Sequence, residues 1–251
     1  MKIRFLGTGT STGIPEIGCK CEVCTSSDFR DKRLRASVLL ETEGKRILLD
    51  CGPDFRQQAL DAGLEHLDAL LITHEHYDHV SGIDDLRPFC KHEKFRIYSE
   101  ASVAQKLRER MPYCFGESLY PGVPQLEFIE IENKPFYAAR TLFIPIRLMH
   151  YKLPVFGYRT GNFAYLTDFK TIPEEEYDKL AGLDLLIIDA LRQKEHISHI
   201  TMQQAITQIE RIRPKKACFI HMSHHFGLHG EVETRLPENV FLPYDGLEIE
   251  Y

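Results

Sequence analysis

The segment Thr73-His74-Glu75-His76-Tyr77-Asp78-His79 constrains this chain more than any other. Three imidazoles and an aspartate carboxylate crowd into it, and burying such a run is costly unless its donors share a partner. It completes Ala69-Leu70-Leu71-Ile72-Thr73, a continuous apolar run of the kind that forms a strand buried on both faces. His74 and His76 then leave the strand end on one face, and Asp78 and His79 follow as the chain turns into a helix. Four ligating groups can therefore converge on one point. The other reading, a solvated polar loop, loses ground because further ligand-type residues stand at strand ends. These are His150, Asp168 in Leu166-Thr167-Asp168, and His221 in Phe219-Ile220-His221.

Composition narrows the setting. The chain has 12 histidines, clustered at 74–79 and 221–229, and 43% of its residues are hydrophobic. With 251 residues and no linker, repeat or low-complexity tract, residues 1–251 read as one globular domain. No apolar stretch is long enough to span a bilayer, and the opening Met1-Lys2-Ile3-Arg4-Phe5-Leu6-Gly7 lacks a signal-peptide core, so a cytoplasmic protein with no membrane partner is expected. The net charge of -6 provides no global positive field for long nucleic acid. An anionic substrate would have to be drawn by a local device such as metal ions. The 7 cysteines are an odd number in such a chain, which argues for reduced thiols or metal ligation over a disulfide framework.

Strand-like runs span Ile3–Leu6, Ser37–Glu41, Arg46–Asp50, Leu126–Ile131, Leu142–Ile146, Phe163–Leu166, Leu183–Ile188 and Ala217–Ile220. Glu43-Gly44 suits a hairpin turn, and Pro53 a first helical turn, with that helix closing at Ala62 before Gly63. Ala101–Arg110 and Met202–Ile212 read as helices, the latter with Thr201 as its cap. Strand-rich segments with interspersed helices predict two packed sheets with helices outside, a four-layer αββα sandwich of the α/β class. Met111–Pro124, aromatic-rich and aperiodic, reads either as a loop over a site or as surface packing.

The series H-x-H-x-D-H at 74–79, followed by His150, Asp168 and His221, resembles the ligand series of the metallo-β-lactamase superfamily in order and number. That resemblance implies His74, His76 and His150 on one divalent metal, Asp78, His79 and His221 on a second, and Asp168 bridging. Imidazole and carboxylate donors with an open position suit zinc or manganese acting as a Lewis acid. Asp50-Cys51-Gly52 resembles the superfamily's aspartate turn, in which a carboxylate orients a metal-bound histidine. A plain strand-end cap is the other reading of Asp50.

A second metal signature is Cys19-Lys20-Cys21-Glu22-Val23-Cys24, whose three thiols can chelate one ion but need a fourth ligand to close a tetrahedral site. Together with His221-Met222-Ser223-His224 it resembles the PhnP branch of the superfamily, which implies a structural zinc on Cys19, Cys21, Cys24 and His224 in a loop near 18–25. His225 is the rival fourth ligand. Leu6-Gly7-Thr8-Gly9-Thr10-Ser11-Thr12-Gly13 lacks the Gly-Lys-Ser/Thr ending of a nucleotide loop and resembles the glycine-rich first turn of PhnP-like proteins and transfer-RNA 3′-processing nucleases. Cys51, Cys90, Cys114 and Cys218 have no ligand spacing and read as buried small apolar residues.

The resemblance implies a dinuclear metal-dependent phosphodiesterase acting on a small cyclic phosphodiester, of the phosphoribosyl 1,2-cyclic phosphate or 2′,3′-cyclic nucleotide type. His199 would assist departure of the leaving oxygen, with His196 as its rival, and Asp78 counts among the catalytic residues as well as the ligands. A homodimer is also implied. The alternatives are a transfer-RNA 3′-processing-like nuclease, a lactonase or thioester hydrolase, and a non-catalytic metal-binding protein.

Overall fold

The computed structural model describes residues 1–91, 93–115 and 122–251. The first sheet is built in chain order from β1 (Lys2–Gly7), β2 (Ser37–Thr42), β3 (Lys45–Leu49), β4 (Ala69–Leu71), β5 (Phe95–Glu100) and β6 (Leu126–Ile131). The second follows in the same manner from β7 (Phe136–Ala138), β8 (Thr141–His150), β9 (Leu153–Thr160), β10 (Phe163–Leu166), β11 (Leu185–Asp189), β12 (Lys216–Ile220) and β13 (Val240–Phe241). The chain then returns, and β14 (Glu248–Glu250) pairs with β1 at the edge of the first sheet. Each sheet opens with antiparallel strands joined by tight turns and continues with parallel ones, β3 to β6 and β10 to β13. Parallel neighbours need a crossover, and helices Phe55–Asp61, Ala101–Arg110 and Met202–Ile212 supply three of them.

Period-two alternation sorts the apolar residues into layers. Phe5, Val38, Leu40, Leu49 and Leu71 of the first sheet pack against Phe156, Tyr158, Tyr165, Ile187 and Ile220 of the second. Leu48, Leu70 and Ile97 point the other way, onto Phe55, Ile83 and Leu107. Leu186, Ile188 and Phe219 likewise meet Ala205, Ile209 and Ile212 of helix Met202–Ile212. This is the expected four-layer αββα sandwich. The helix at 202–212 has a full capping box, in which Thr201 Oγ1 accepts from Gln204 N–H and the Gln204 side chain accepts from Thr201 N–H. Gly63, with φ at +59°, follows the end of helix Phe55–Asp61, where a side chain would be strained.

Some elements depart from the sequence reading. Strands β5, β7, β9, β13 and β14 carry too little periodicity to be read, and β8 runs four residues beyond Ile146. That extension is tertiary in origin: β8 pairs with β9 as far as His150↔Leu153. The charged Arg147 is accommodated by the Glu100 carboxylate at 2.7 Å and by the face of Phe156 at 4.0 Å. Of the stretch 111–124, Pro112–Cys114 forms one 3₁₀ turn, whereas 116–121 lies outside the described residues, so the proposed loop over a site goes undescribed there. Among the described residues, no helix is long and apolar enough to cross a membrane.

Candidate active site

Strand ends gather the polar residues at one edge of the sandwich. His74 and His76 follow β4, His150 closes β8, Asp168 follows β10, Asp189 closes β11 and His221 follows β12. Asp78 and His79 sit on the short helix Tyr77–Val80. Asp50, Asp168 and His221 have φ of 61°, 52° and 62°, the left-handed region that non-glycine residues enter at a cost. Each turns the chain sharply as its strand ends. Gly52 allows the ligand loop to come close, because a Cβ there would lie 2.1 Å from the Asp78 carbonyl oxygen.

Three donor groups share Asp168, one of them Asp168, Asp189, His199 and His221, and the other two hold the histidines of the sequence motif. In one, ligand atoms of His74, His76 and Asp168 all lie within 4.8 Å of one another, and the His150 ring stands 5.1 Å from that of His76. In the other, Asp78, His79, Asp168 and His221 meet the same criterion. Asp168 Oδ2 faces His74 Nε2 at 3.6 Å, whereas its Oδ1 faces His79 Nε2 at 3.3 Å and His221 Nε2 at 3.2 Å. Asp78 Oδ2 is 3.2 Å from both His79 Nε2 and His221 Nε2.

This donor set fits two divalent cations. His74 is 0% exposed and its Nε2 has no hydrogen-bond partner, a state that buried polar atoms seldom tolerate. Burial pulls the His74 pKa well down and that of His150 to about 4, so both rings are neutral donors. Burial opposes ionisation of Asp168, but His221 and His79 outweigh it and hold the carboxylate well below its usual range. For His79 burial is likewise outweighed, here by Asp168, Asp78 and Asp50, which raise its pKa; a bound cation would displace that proton, as ligation requires.

A second ring of contacts orients these donors. The Asp50 carboxylate accepts from His79 Nδ1 at 2.8 Å, from Thr73 N–H at 2.9 Å and from the Tyr165 hydroxyl at 3.2 Å, leaving His79 Nε2 aimed at the centre. It thus ties off a strand end and orients a histidine at once. Asp189, absent from the sequence reading, is fully buried between His221 Nδ1 at 3.7 Å and His199 Nδ1 at 3.4 Å. Its signal was a carboxylate ending the apolar run Leu185-Leu186-Ile187-Ile188, the pattern that also marks Asp168. The His199 ring stacks on His221 with centroids 5.0 Å apart and lies 4.6 Å from His150. Burial would lower the His199 pKa, but Asp189 outweighs it and pushes the pKa up to about 9. His196 lies one ring further out, 5.2 Å from His199, where its Nδ1 accepts from Ser198 N–H.

Beside this centre, Cys19, Cys21 and Cys24 converge on His224 Nδ1, with sulfur–nitrogen distances of 3.2, 3.6 and 3.3 Å. These four residues are the donors that meet there, whereas His225 is exposed and outside the cluster. In the glycine-rich turn, Thr8 N–H bonds to Asp245, Gly9 N–H to the Leu34 carbonyl and Thr10 N–H to the Met222 carbonyl. Those N–H groups are therefore not free to cradle a phosphate. Cys51, Cys114 and Cys218 are buried as expected, but Cys90 is only partly so, because it lies at the end of a 3₁₀ helix.

Residues 45–222 match the family described as the beta-lactamase superfamily domain. The chain belongs to the beta-lactamase superfamily. A protein of Porphyromonas gingivalis named octanoyltransferase is 49% identical over 251 residues, which cover 99% of this chain but 51% of that protein. The chain thus spans about half the length of that curated relative. The crystal structure of a new diphosphatase from the PhnP family superposes with a TM-score of 0.93 at 37% identity, covering 100% of this chain and 97% of the other. Zn(2+)-bound PqqB from Methylobacterium extorquens superposes with a TM-score of 0.80 at 19% identity, covering 100% of both chains, and shares the fold.

The chain therefore carries the metallo-β-lactamase fold. Its geometry offers imidazole and carboxylate donors around a shared carboxylate. It also offers a histidine outside the two motif groups, held by a buried aspartate, within ring contact of them.

Proposed function

We propose that this protein is a dinuclear metal-dependent phosphodiesterase for small cyclic phosphodiesters. The observation that carries the reading is Asp168, whose two oxygens face two separate histidine sets. His74, His76, His150 and Asp168 would hold one ion, and Asp78, His79, His221 and Asp168 the other. Zinc or manganese bound there would supply Lewis acidity toward phosphoryl oxygens and lower the pKa of water. Cys19, Cys21, Cys24 and His224 would hold a structural zinc.

The chain's own residues account for the remaining steps. Asp189 takes the Nδ1 side of His199, which leaves Nε2 to carry a proton to the departing oxygen. Asp78, besides ligating, keeps His221 and His79 turned toward the centre. With the chain at net charge -6, attraction of an anionic ester falls to the metal centre itself, which favours small substrates over long nucleic acid. The relative's name, octanoyltransferase, belongs to a protein about twice as long. A thiol nucleophile for acyl transfer finds no support at this centre, since Cys51 is fully buried and burial raises its pKa.

His199→Gln should slow hydrolysis of a 2′,3′-cyclic nucleotide, which has an alkoxide leaving group, by about a hundredfold or more. Bis(p-nitrophenyl) phosphate, whose leaving group needs no proton, should lose far less. Equal losses on both esters would remove the acid role from His199.

The test of the function pairs elemental analysis with turnover. About three metal ions per chain are expected, with chelator-sensitive hydrolysis of 2′,3′-cyclic nucleotides and phosphoribosyl 1,2-cyclic phosphate. The PhnP-family structural neighbour is described as a diphosphatase, which supports a second reading, cleavage of a phosphoanhydride. Turnover of an organic diphosphate without turnover of the cyclic esters would establish that reading in place of the first. Turnover of lactones or thioesters alone would overturn both.

A further inference from the structure

Glu75 stands between His74 and His76, yet its side chain leaves the centre and lies only 9% exposed against helix Ala101–Arg110. Lys106 Nζ donates to its carboxylate, and Arg110, one turn further along the same helix, donates through Nη1 to its backbone carbonyl. One helix face therefore grips one residue by both its side chain and its main chain.

The rest of the loop shows what this grip is for. Ile72 and Thr73 are tied to the core, since Ile72 O accepts from the Tyr158 hydroxyl at 2.6 Å and Thr73 O from Phe156 N–H at 3.1 Å. His79 has Asp50. Among the described residues, hydrogen bonds to 74–76 from outside the motif and the centre come from Lys106 and Arg110 alone. An isolated surface ion pair contributes little, but here the carboxylate is buried and the second cation holds a carbonyl between two donors of the same set.

We infer that Lys106 and Arg110 are positioning residues for the His74–His76 donor pair, acting through Glu75 and selective for one of the two cations. This rests on the proposed two-ion centre. Outer contacts of this kind change metal affinity by about ten- to a hundredfold when removed.

The test uses calorimetric titration with manganese of protein that keeps zinc on Cys19, Cys21, Cys24 and His224 while its catalytic centre has been emptied with a chelator. Two backgrounds isolate the donor sets: Asp78→Ala, which retains His74, His76 and His150, and His76→Ala, which retains Asp78, His79 and His221. Lys106→Met, on a half-exposed side chain, should weaken binding about tenfold or more in the first background and leave the second unchanged. Lys106→Arg should restore it, and Glu75→Gln should repeat the loss. Equal affinities with and without Lys106→Met in the Asp78→Ala background would overturn the inference, as would equal weakening in both backgrounds, which a general loss of stability produces. Failure of the wild-type centre to bind two ions would instead overturn the two-ion reading on which it rests.

Discussion

Asp168→Ala is expected to lower kcat/KM by about a thousandfold or more, on the order of 4 kcal/mol of transition-state stabilisation, and to release both catalytic cations. Among the described residues, Asp168 alone belongs to both of the motif's donor sets, with Oδ2 toward His74 and Oδ1 toward His79 and His221. Without it the buried His79 and His221 lose an anion at about 3.3 and 3.2 Å, and neither set retains its carboxylate bridge. His76→Ala makes the complementary case. It removes a half-buried donor from one set, so turnover should disappear while the fold and the second ion persist. Elemental analysis alongside kinetics checks both, with about two ions lost in Asp168→Ala and about one in His76→Ala. Undiminished activity in either variant would sink the ligand assignment.

Cys21→Ser should cost stability more than chemistry. An ion bound about a thousandfold above its dissociation constant stabilises the fold by about 4 kcal/mol. For a chain of this length that corresponds to a Tm loss on the order of 10 °C. The variant should also carry about one zinc fewer per chain. The site is anchored to the catalytic edge through Met222, whose N–H bonds to the Thr8 carbonyl at 3.0 Å and whose carbonyl accepts from Thr10 N–H at 3.0 Å. His221 should therefore keep its place at room temperature, and most of the activity with it. Wild-type zinc content and wild-type melting in Cys21→Ser would count against a structural site.

How much could be read from the chain varied with how local each cause is. Helices Ala101–Arg110 and Met202–Ile212 and strands Leu126–Ile131 and Phe163–Leu166 fall where periodicity places them, because each buries a repeating apolar face. Strand β5 contains Phe95-Arg96-Ile97-Tyr98-Ser99-Glu100, too mixed to read, and exists because parallel neighbours β4 and β6 flank it. The choice between His224 and His225 rests on the resemblance in the sequence; in the fold, a 3₁₀ turn capped by Ser223 points His224 at the thiols and leaves its neighbour exposed.

The donor chemistry is written in the chain: four ligand-type side chains within six residues, three more at strand ends, and three thiols within another six. These follow from residue type and from the fixed repeats of strand and helix, which act over a few positions. Which donors share Asp168, that Asp189 stands between His199 and His221, and that Lys106 and Arg110 hold Glu75 follow from the packing of distant segments. Those contacts join residues that are 10 to 94 positions apart. Chain separation carries no information about which side chains meet, since two packed sheets alone bring their strand ends to one edge.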